Sequence, residues 1–517
     1  MKSEVGLVAG SVVIWAMLAG GTHMANAQDS KTVASREPVC AGTWYPGDAG
    51  TLNSLVDKLM DEAKPPAING KPLAIIAPHA GYRYSAPVAA AAYRCLRGQS
   101  YKRVFVMAFS HRRASAYRGV HVPDDLGAYD MPAGAVPLDR ETIALLKQNR
   151  AFVSIAGIDR DEHSLELQLP FLQRTIKDFK LVPLYVGQMT PEFFALAARA
   201  IVQCLDGDTL LVASSDFTHF GPNYGYEPFK DDVPKKLAEL ADKAAGPLLA
   251  CDFDGFAEHM KKTDDTICGY GPIMLLLRVL SMKGGAQATR AAFDTSGRMT
   301  NDYTSSVTYQ SFVFTPRPPL FEEPLRRQLL KLARETITAY LSGREPPKVD
   351  PTTLPAPLRE NGACFVTLQN RGELRGCIGN TEAIDPLYTA VIRNAINACQ
   401  DPRFTLDPVT AAEVPKLHIE ISRLTPMKRV RDTSEVIIGR HGLLISLHGR
   451  RGLLLPQVAY ERGWTREQFL GEVCRKAGLP MDSWKQPEAE LYSFEAEVFG
   501  EPETAGQAGQ TTAPKPE

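Results

Sequence analysis

Three times an apolar, strand-like run ends and a histidine follows within a few residues: Leu73–Ala77 before His79, Val104–Ala108 before His111, and Leu210–Ala213 before His219. In an open parallel α/β sheet, ligands bind in the crevice beyond the carboxyl ends of the strands, so histidines set there can converge. Cys268 joins them as a candidate, because Thr266-Ile-Cys-Gly-Tyr-Gly-Pro272 is a glycine- and proline-rich turn between two helical stretches. Imidazoles and a thiol together read as a metal site. A single histidine after a strand is more often a surface or hydrogen-bonded structural residue; three together with a thiol reverse that reading. His163, flanked by Glu162 and Glu166, can cap or orient such a pocket, or serve as a structural histidine.

The elements that would carry these residues follow from the periodicities. Helix-like and strand-like runs alternate: Thr51–Glu62, Leu73–Ala77, Pro87–Leu96, Val104–Ala108, Asp139–Asn149, Glu166–Ile176, Leu181–Gly187, Pro191–Leu205, Leu210–Ala213 and Pro234–Leu249. This alternation predicts an α/β fold, a doubly wound, mostly parallel sheet over residues 28–314, closed by a strand at Ser306–Phe314. Residues 315–324 hold four prolines and read as a linker. A smaller α+β unit is expected over 325–502, from helical Leu325–Leu341 to strand-like Glu490–Phe499, followed by a disordered tail at 503–517.

Composition narrows the classes. The chain has 517 residues, too many for one ordinary core, and its 58 basic and 59 acidic residues give no broad attraction to nucleic acid. An apolar run from Val5 to Gly21, then Ala25-Asn-Ala27 before Gln28, reads as a signal peptide over 1–27 cleaved after Ala27. The mature protein is then periplasmic or secreted, with no later membrane span; the alternative is an uncleaved N-terminal anchor. Nine cysteines, an odd number with no Cys-x-x-Cys pair, form no disulfide framework and read mainly as small buried hydrophobes, with Cys268 and Cys377 the exceptions.

The strings Ile75-Ile-Ala-Pro-His79-Ala-Gly-Tyr82, Phe109-Ser-His111, Asp161-Glu-His163-Ser-Leu-Glu166, Ser214-Ser-Asp216-Phe-Thr-His219 and Ile267-Cys268-Gly269 resemble the Memo (mediator of cell motility) family, which is related to the extradiol, LigB-type dioxygenases. That resemblance implies that His79, His111 and Cys268 are metal ligands. It places His219 and Asp216 beside them, with His219 matching the dioxygenase acid–base residue. His219, Asp216 and His163 are thus the candidate catalytic groups. In the dioxygenases a carboxylate stands where this chain has a thiol, and Gln168 stands where animal members carry a second histidine. Two imidazoles and a thiolate with open positions suit Fe(II), while the softer sulfur also admits Cu(I) or Zn(II). An open position would accept a substrate oxygen or dioxygen, with His219 shuttling a proton.

In the second unit, Glu373-Leu-Arg-Gly-Cys-Ile-Gly379 resembles the hallmark of the AMMECR family, supported by Asp401-Pro-Arg-Phe404, Glu420-Ile-Ser422 and Leu453-Leu-Leu-Pro-Gln-Val458. Arg375 offers a fork for an anionic group and Cys377 a candidate reactive thiol, so both are candidates for substrate or partner binding; the plain alternative is a tight turn with Arg375 paired to Glu373 or Glu420. Families resembling the two halves are associated with a radical-SAM protein in the AmmeMemoRadiSam system. A cytoplasmic partner of that kind sits poorly with export, and this chain has no Cys-x₃-Cys-x₂-Cys cluster spacing of its own. Two functions follow as expectations. One is an exported non-haem iron oxidoreductase acting on a small or cell-envelope substrate, with zinc-type hydrolysis a lesser variant. The other is a non-catalytic iron- or copper-binding or adaptor protein.

Overall fold

The computed structural model describes residues 34–502, so the expected signal segment at 1–27 and the tail at 503–517 lie outside the described residues. In the first unit four strands lie side by side and parallel, in the order Ala74–Ala77, Thr209–Ser214, Arg103–Ala108, Lys180–Val186. They are buried almost end to end, which is why they read as continuous apolar runs and not as alternating ones. The helix Tyr82–Arg94 packs on the Ala74–Ala77 side, and the helix Tyr270–Met282 packs on Thr209–Ser214 and Arg103–Ala108. The carboxyl ends of these strands therefore open on one rim, where His79, His111 and the Ser214–His219 stretch emerge.

Outside this centre the sheet turns antiparallel, which corrects the expectation of a mostly parallel sheet to a mixed one. Ser306–Thr315 runs antiparallel to Ala74–Ala77, and Val120–His121 antiparallel to Lys180–Val186. Gln287–Thr295, which the periodicity did not reveal, pairs antiparallel with Ser306–Thr315 along its length. Its residues are mostly half-exposed, so it lacks the apolar run that marked the central strands. A second difference concerns the helix Tyr82–Arg94, expected to start at Pro87: it holds Pro87 in its interior and begins five residues earlier, after Gly81.

The second unit is an antiparallel sheet ordered Glu373–Gly379, Ala363–Asn370, Leu417–Leu424, Glu490–Gly500, His441–Leu447, Arg450–Leu454. The helices Glu323–Leu341 and Leu387–Cys399 share one apolar core with its first three strands, and Arg466–Lys476 packs at the other end. In the proline-rich stretch, Thr315 still belongs to a strand and Glu323 opens a helix. Between them Phe321 is buried under the Arg423 guanidinium, 4.0 Å from its ring, and the backbone N–H groups of Leu320 and Phe321 donate to Glu497.

The two units also pack directly. Arg466 is buried, with Nη2 2.6 Å from Asp252 Oδ2 and Nη1 2.8 Å from Glu258 Oε1, while its backbone N–H donates to Asp254. Arg278, on the helix Tyr270–Met282, donates to the carbonyl of Trp464, and Ser281 Oγ to that of Ile438. Among the described residues no helix is long and apolar enough to cross a membrane. All nine cysteines are free thiols.

One buried carboxylate ties the start of the described chain to the body. Glu166 accepts from Arg36 Nη1 at 2.9 Å, from the N–H groups of Val39 and Cys40 at 2.9 and 2.8 Å, and from Tyr45 Oη at 2.8 Å. A neutral amide cannot accept four donors at once, so Glu166→Gln strands at least one donor beside the buried Arg36 charge. We expect this variant to lose about 3 kcal/mol or more of unfolding free energy, measured by urea titration, as when one partner of a buried pair is removed.

Candidate metal centre

His79 stands two residues beyond Ala77, and Ser214 is the in-register neighbour of Ala77 in the adjacent parallel strand. This pairing brings His79 Nδ1 to 2.9 Å from Ser214 Oγ. The Ser214 hydroxyl donates to the carbonyl of Ser164 and accepts from Gln168 Nε2 at 2.8 Å, so its remaining lone pair takes the proton on His79 Nδ1. His79 Nε2 is then a bare lone pair, 3.3 Å from Cys268 Sγ. Gln168 has a definite place in this arrangement: it is buried, accepts from Tyr93 Oη and helps fix the tautomer of His79.

Glu162 does the same for His111. Its carboxylate accepts from His111 Nδ1 at 2.9 Å and from the backbone N–H of the same residue at 2.6 Å, leaving His111 Nε2 free. Burial alone would raise the Glu162 carboxyl, but His111, His163 and the N–H of Ser164 outweigh it and hold it at about 2. His163 stacks on His111, ring centroids 4.3 Å apart, and Trp44 lies tilted against it at 4.4 Å. Burial, with His111 beside it, lowers His163 to about 4, and burial holds His79 well below the usual imidazole range. Both are neutral at pH 7, the form that binds metal.

Two triads of possible ligand atoms share His79, each with its atoms within 4.8 Å of one another: His79, His111 and His163, and His79, Asp216 and Cys268. The expected ligands His79, His111 and Cys268 are thus split between the triads, and His163 stands with the first. Asp216 is buried and uses Oδ1 to hold the N–H groups of His79 and Ala80, at 2.8 and 3.3 Å. Burial raises its carboxyl. His219 lies outside both triads, its Nδ1 3.1 Å from the carbonyl of Thr266 and its ring edge-on to Tyr224 at 5.1 Å. That contact puts its proton on Nδ1 and leaves Nε2 bare.

The donors fit a transition metal. Sulfur and nitrogen on one tetrahedral ion, at about 2.3 and 2.0 Å from it, stand about 3.5 Å apart, close to the 3.3 Å between Cys268 Sγ and His79 Nε2. Burial and the nearby Asp216 push the Cys268 thiol up, so a metal must displace its proton. Sequence reasoning missed the parts played by Glu162, Ser214 and Gln168. Glu162 and Ser214 lie within the histidine motifs themselves, but only the fold shows which ring nitrogen each one holds.

In the second unit Arg375 is already occupied. It meets Glu413 at 3.0 and 3.2 Å and Asp407 at 2.9 Å, partners other than the expected Glu373 or Glu420. Cys377 lies on a strand, its N–H donating to Asp401 and its sulfur 3.3 Å from Thr367 Oγ1. The flanking glycines serve close approach: a Cβ at Gly376 would fall 2.0 Å from the carbonyl oxygen of Ala398, and one at Gly379 2.4 Å from the Phe365 ring.

Comparison with known proteins agrees with both halves. The family described as Memo-like protein matches residues 36–313, and the family described as AMMECR1 matches residues 330–499. The MEMO1 family protein TV1383 of Thermoplasma volcanium is 30% identical over 280 residues, 54% of this chain and 97% of its own. Protein MK0488 of Methanopyrus kandleri is 44% identical over 190 residues, 34% of this chain and 89% of its own. The crystal structure of Pyrococcus horikoshii protein PH0010 shares 39% identity over 35% of this chain and 94% of that one, with a TM-score of 0.33. The chain belongs to the Memo family and joins a Memo-like domain to an AMMECR1 domain in one polypeptide.

Proposed function

We propose that the Memo-like half binds a transition metal, iron(II) in its working state, and carries out redox chemistry on a small oxygen-bearing molecule outside the cytoplasmic membrane, with the AMMECR1 half holding the substrate or a partner. One observation carries this reading: His79 Nε2 is a bare lone pair 3.3 Å from Cys268 Sγ, on the rim where His111 presents a second bare nitrogen. A bound metal would supply Lewis acidity and electron transfer. The chain's own groups prepare for it. Ser214 and Glu162 orient the two imidazoles, Asp216 holds the backbone that carries His79, and His219 offers Nε2 to take or give a proton at a substrate oxygen. His163 packs against His111 and Trp44 against His163. The thiol favours a second reading, metal handling without turnover, because sulfur suits Cu(I) and oxidises readily beside dioxygen.

Purified without oxygen, the chain should carry close to one equivalent of iron, and dioxygen uptake with catechol-like or envelope-derived compounds should fall sharply in His219→Ala. Absence of iron, or iron that consumes no dioxygen with any compound, would leave the handling reading. His79→Ala, His111→Ala and Cys268→Ser should each lose bound metal under both readings, measured by elemental analysis after dialysis; metal retained in all three means the site lies elsewhere. Glu162→Gln keeps the ligands but weakens the hold on His111, and should lower metal affinity about 10- to 100-fold in a chelator competition.

A further inference from the structure

The stretch that carries Cys268 is laced to the one that carries Asp216 and His219. Gly269 donates its N–H to Ser215 Oγ at 3.0 Å, and Cys268 Sγ lies 3.4 Å from the carbonyl oxygen of Asp216. Thr266 Oγ1 accepts the N–H of His219 at 2.7 Å and donates to the carbonyl of the same residue at 2.9 Å. There is no room to loosen this seam by substitution at Gly269, where a Cβ would sit 2.2 Å from that of Ser215.

The seam ends in two buried groups that touch neither the metal ligands nor His219. Asp265 Oδ1 accepts the N–H of Thr266 at 2.8 Å, and its Oδ2 accepts the Thr218 hydroxyl at 3.2 Å. The same Oδ2 faces His259 Nε2, 3.3 Å away on the helix Phe253–Thr263. Asp265 is 5% exposed and His259 9%. Asp264, between that helix and the seam, ends the helix in a left-handed conformation, φ 50°, its N–H donating to the Met260 carbonyl. Asp265 thus fastens both strands of the seam, Thr218 on one and Thr266 on the other, and His259 fastens Asp265 to a rigid helix.

We infer that the His259–Asp265 pair is a positioning device for the centre: by fixing Thr266 it sets the ring of His219, and by fixing the turn that follows it sets the sulfur of Cys268. For Cys268 this deepens the metal reading above and rests on it. The Thr266 carbonyl takes the proton on His219 Nδ1 and so turns Nε2 outward. If Thr266 swings, the ring loses its preferred tautomer and Cys268 drifts from His79. His259 donates from Nε2, and glutamine can place an N–H at nearly the same point, whereas leucine cannot.

The test uses the full chain and the variants His259→Leu, His259→Gln and Asp265→Asn. In the metal-free protein, site-resolved alkylation of Cys268 should speed up roughly tenfold in His259→Leu and Asp265→Asn, the size expected for loss of one buried hydrogen bond, and return to the parent rate in His259→Gln. The buried Cys474 should not change. In cobalt-loaded protein the same two variants should shift the thiolate-to-cobalt absorption band, and His259→Gln should restore it. Parent-like alkylation of Cys268 in the two variants overturns the inference, as does equal acceleration at Cys268 and Cys474, which marks general destabilisation. Should His259→Leu fail to fold, the near-isosteric Asp265→Asn carries the comparison. A parent chain that binds no cobalt removes the metal reading, while the alkylation rates still decide whether the pair holds this turn.

Discussion

The parallel register between Ala74–Ala77 and Thr209–Ser214 is the constraint on which the centre depends. Ala77 lies opposite Ser214, so His79 leaves one strand beside the residues Ser214 to Asp216 that leave the next. From that one pairing come the Ser214 contact that sets the tautomer of His79 and the Asp216 contacts that hold its backbone. A slip of one residue would turn Ser214 to the opposite face of the sheet and break the first contact outright.

What the register assembles is a cluster of polar groups with little net charge of its own. Burial keeps His79 and His163 neutral, the Cys268 thiol keeps its proton for the same reason, and Glu162 is held ionised, at about 2. Each ring has one nitrogen held by a fixed partner: Ser214 for His79, Glu162 for His111, Thr266 for His219. The bare nitrogen of His79 faces the Cys268 sulfur. A cation held by His79 and Cys268 would displace the thiol proton and would meet an imidazole already oriented by Ser214.

The sequence made the strand-then-histidine repeats and Cys268 legible, because both are local: an apolar run, a stop, a ligand type. It made the central strands legible for the same reason. Gln287–Thr295 was hidden because its faces are half solvated and carry no sustained apolar pattern. The partners that fix each ring were also hidden. Glu162 is 51 positions from His111 and Ser214 is 135 from His79, and nothing in local spacing says which nitrogen of which ring they will meet. Arg375 shows the converse. Its fork could be read as an anion site, but Glu413 and Asp407, both more than 30 positions away, already fill it.

The join between the two domains bears on the centre through one helix. Tyr270–Met282 begins two residues after Cys268, and its far half carries Arg278 and Ser281, which bond the carbonyls of Trp464 and Ile438 in the other domain. A tether alone would raise the effective concentration of one domain near the other and leave their orientation free. Here Arg466 is buried against Asp252 and Glu258, so the orientation is held as well. Burial raises Asp252 to about 6, against the opposing pull of the Arg466 guanidinium. Separating the domains would leave Arg278 and Arg466 without these partners, each on a helix that packs into its own unit. The rigid helix that ends at the junction is the one that starts at the thiol, so the placement of Cys268 and the docking of the AMMECR1 domain are parts of one packing problem.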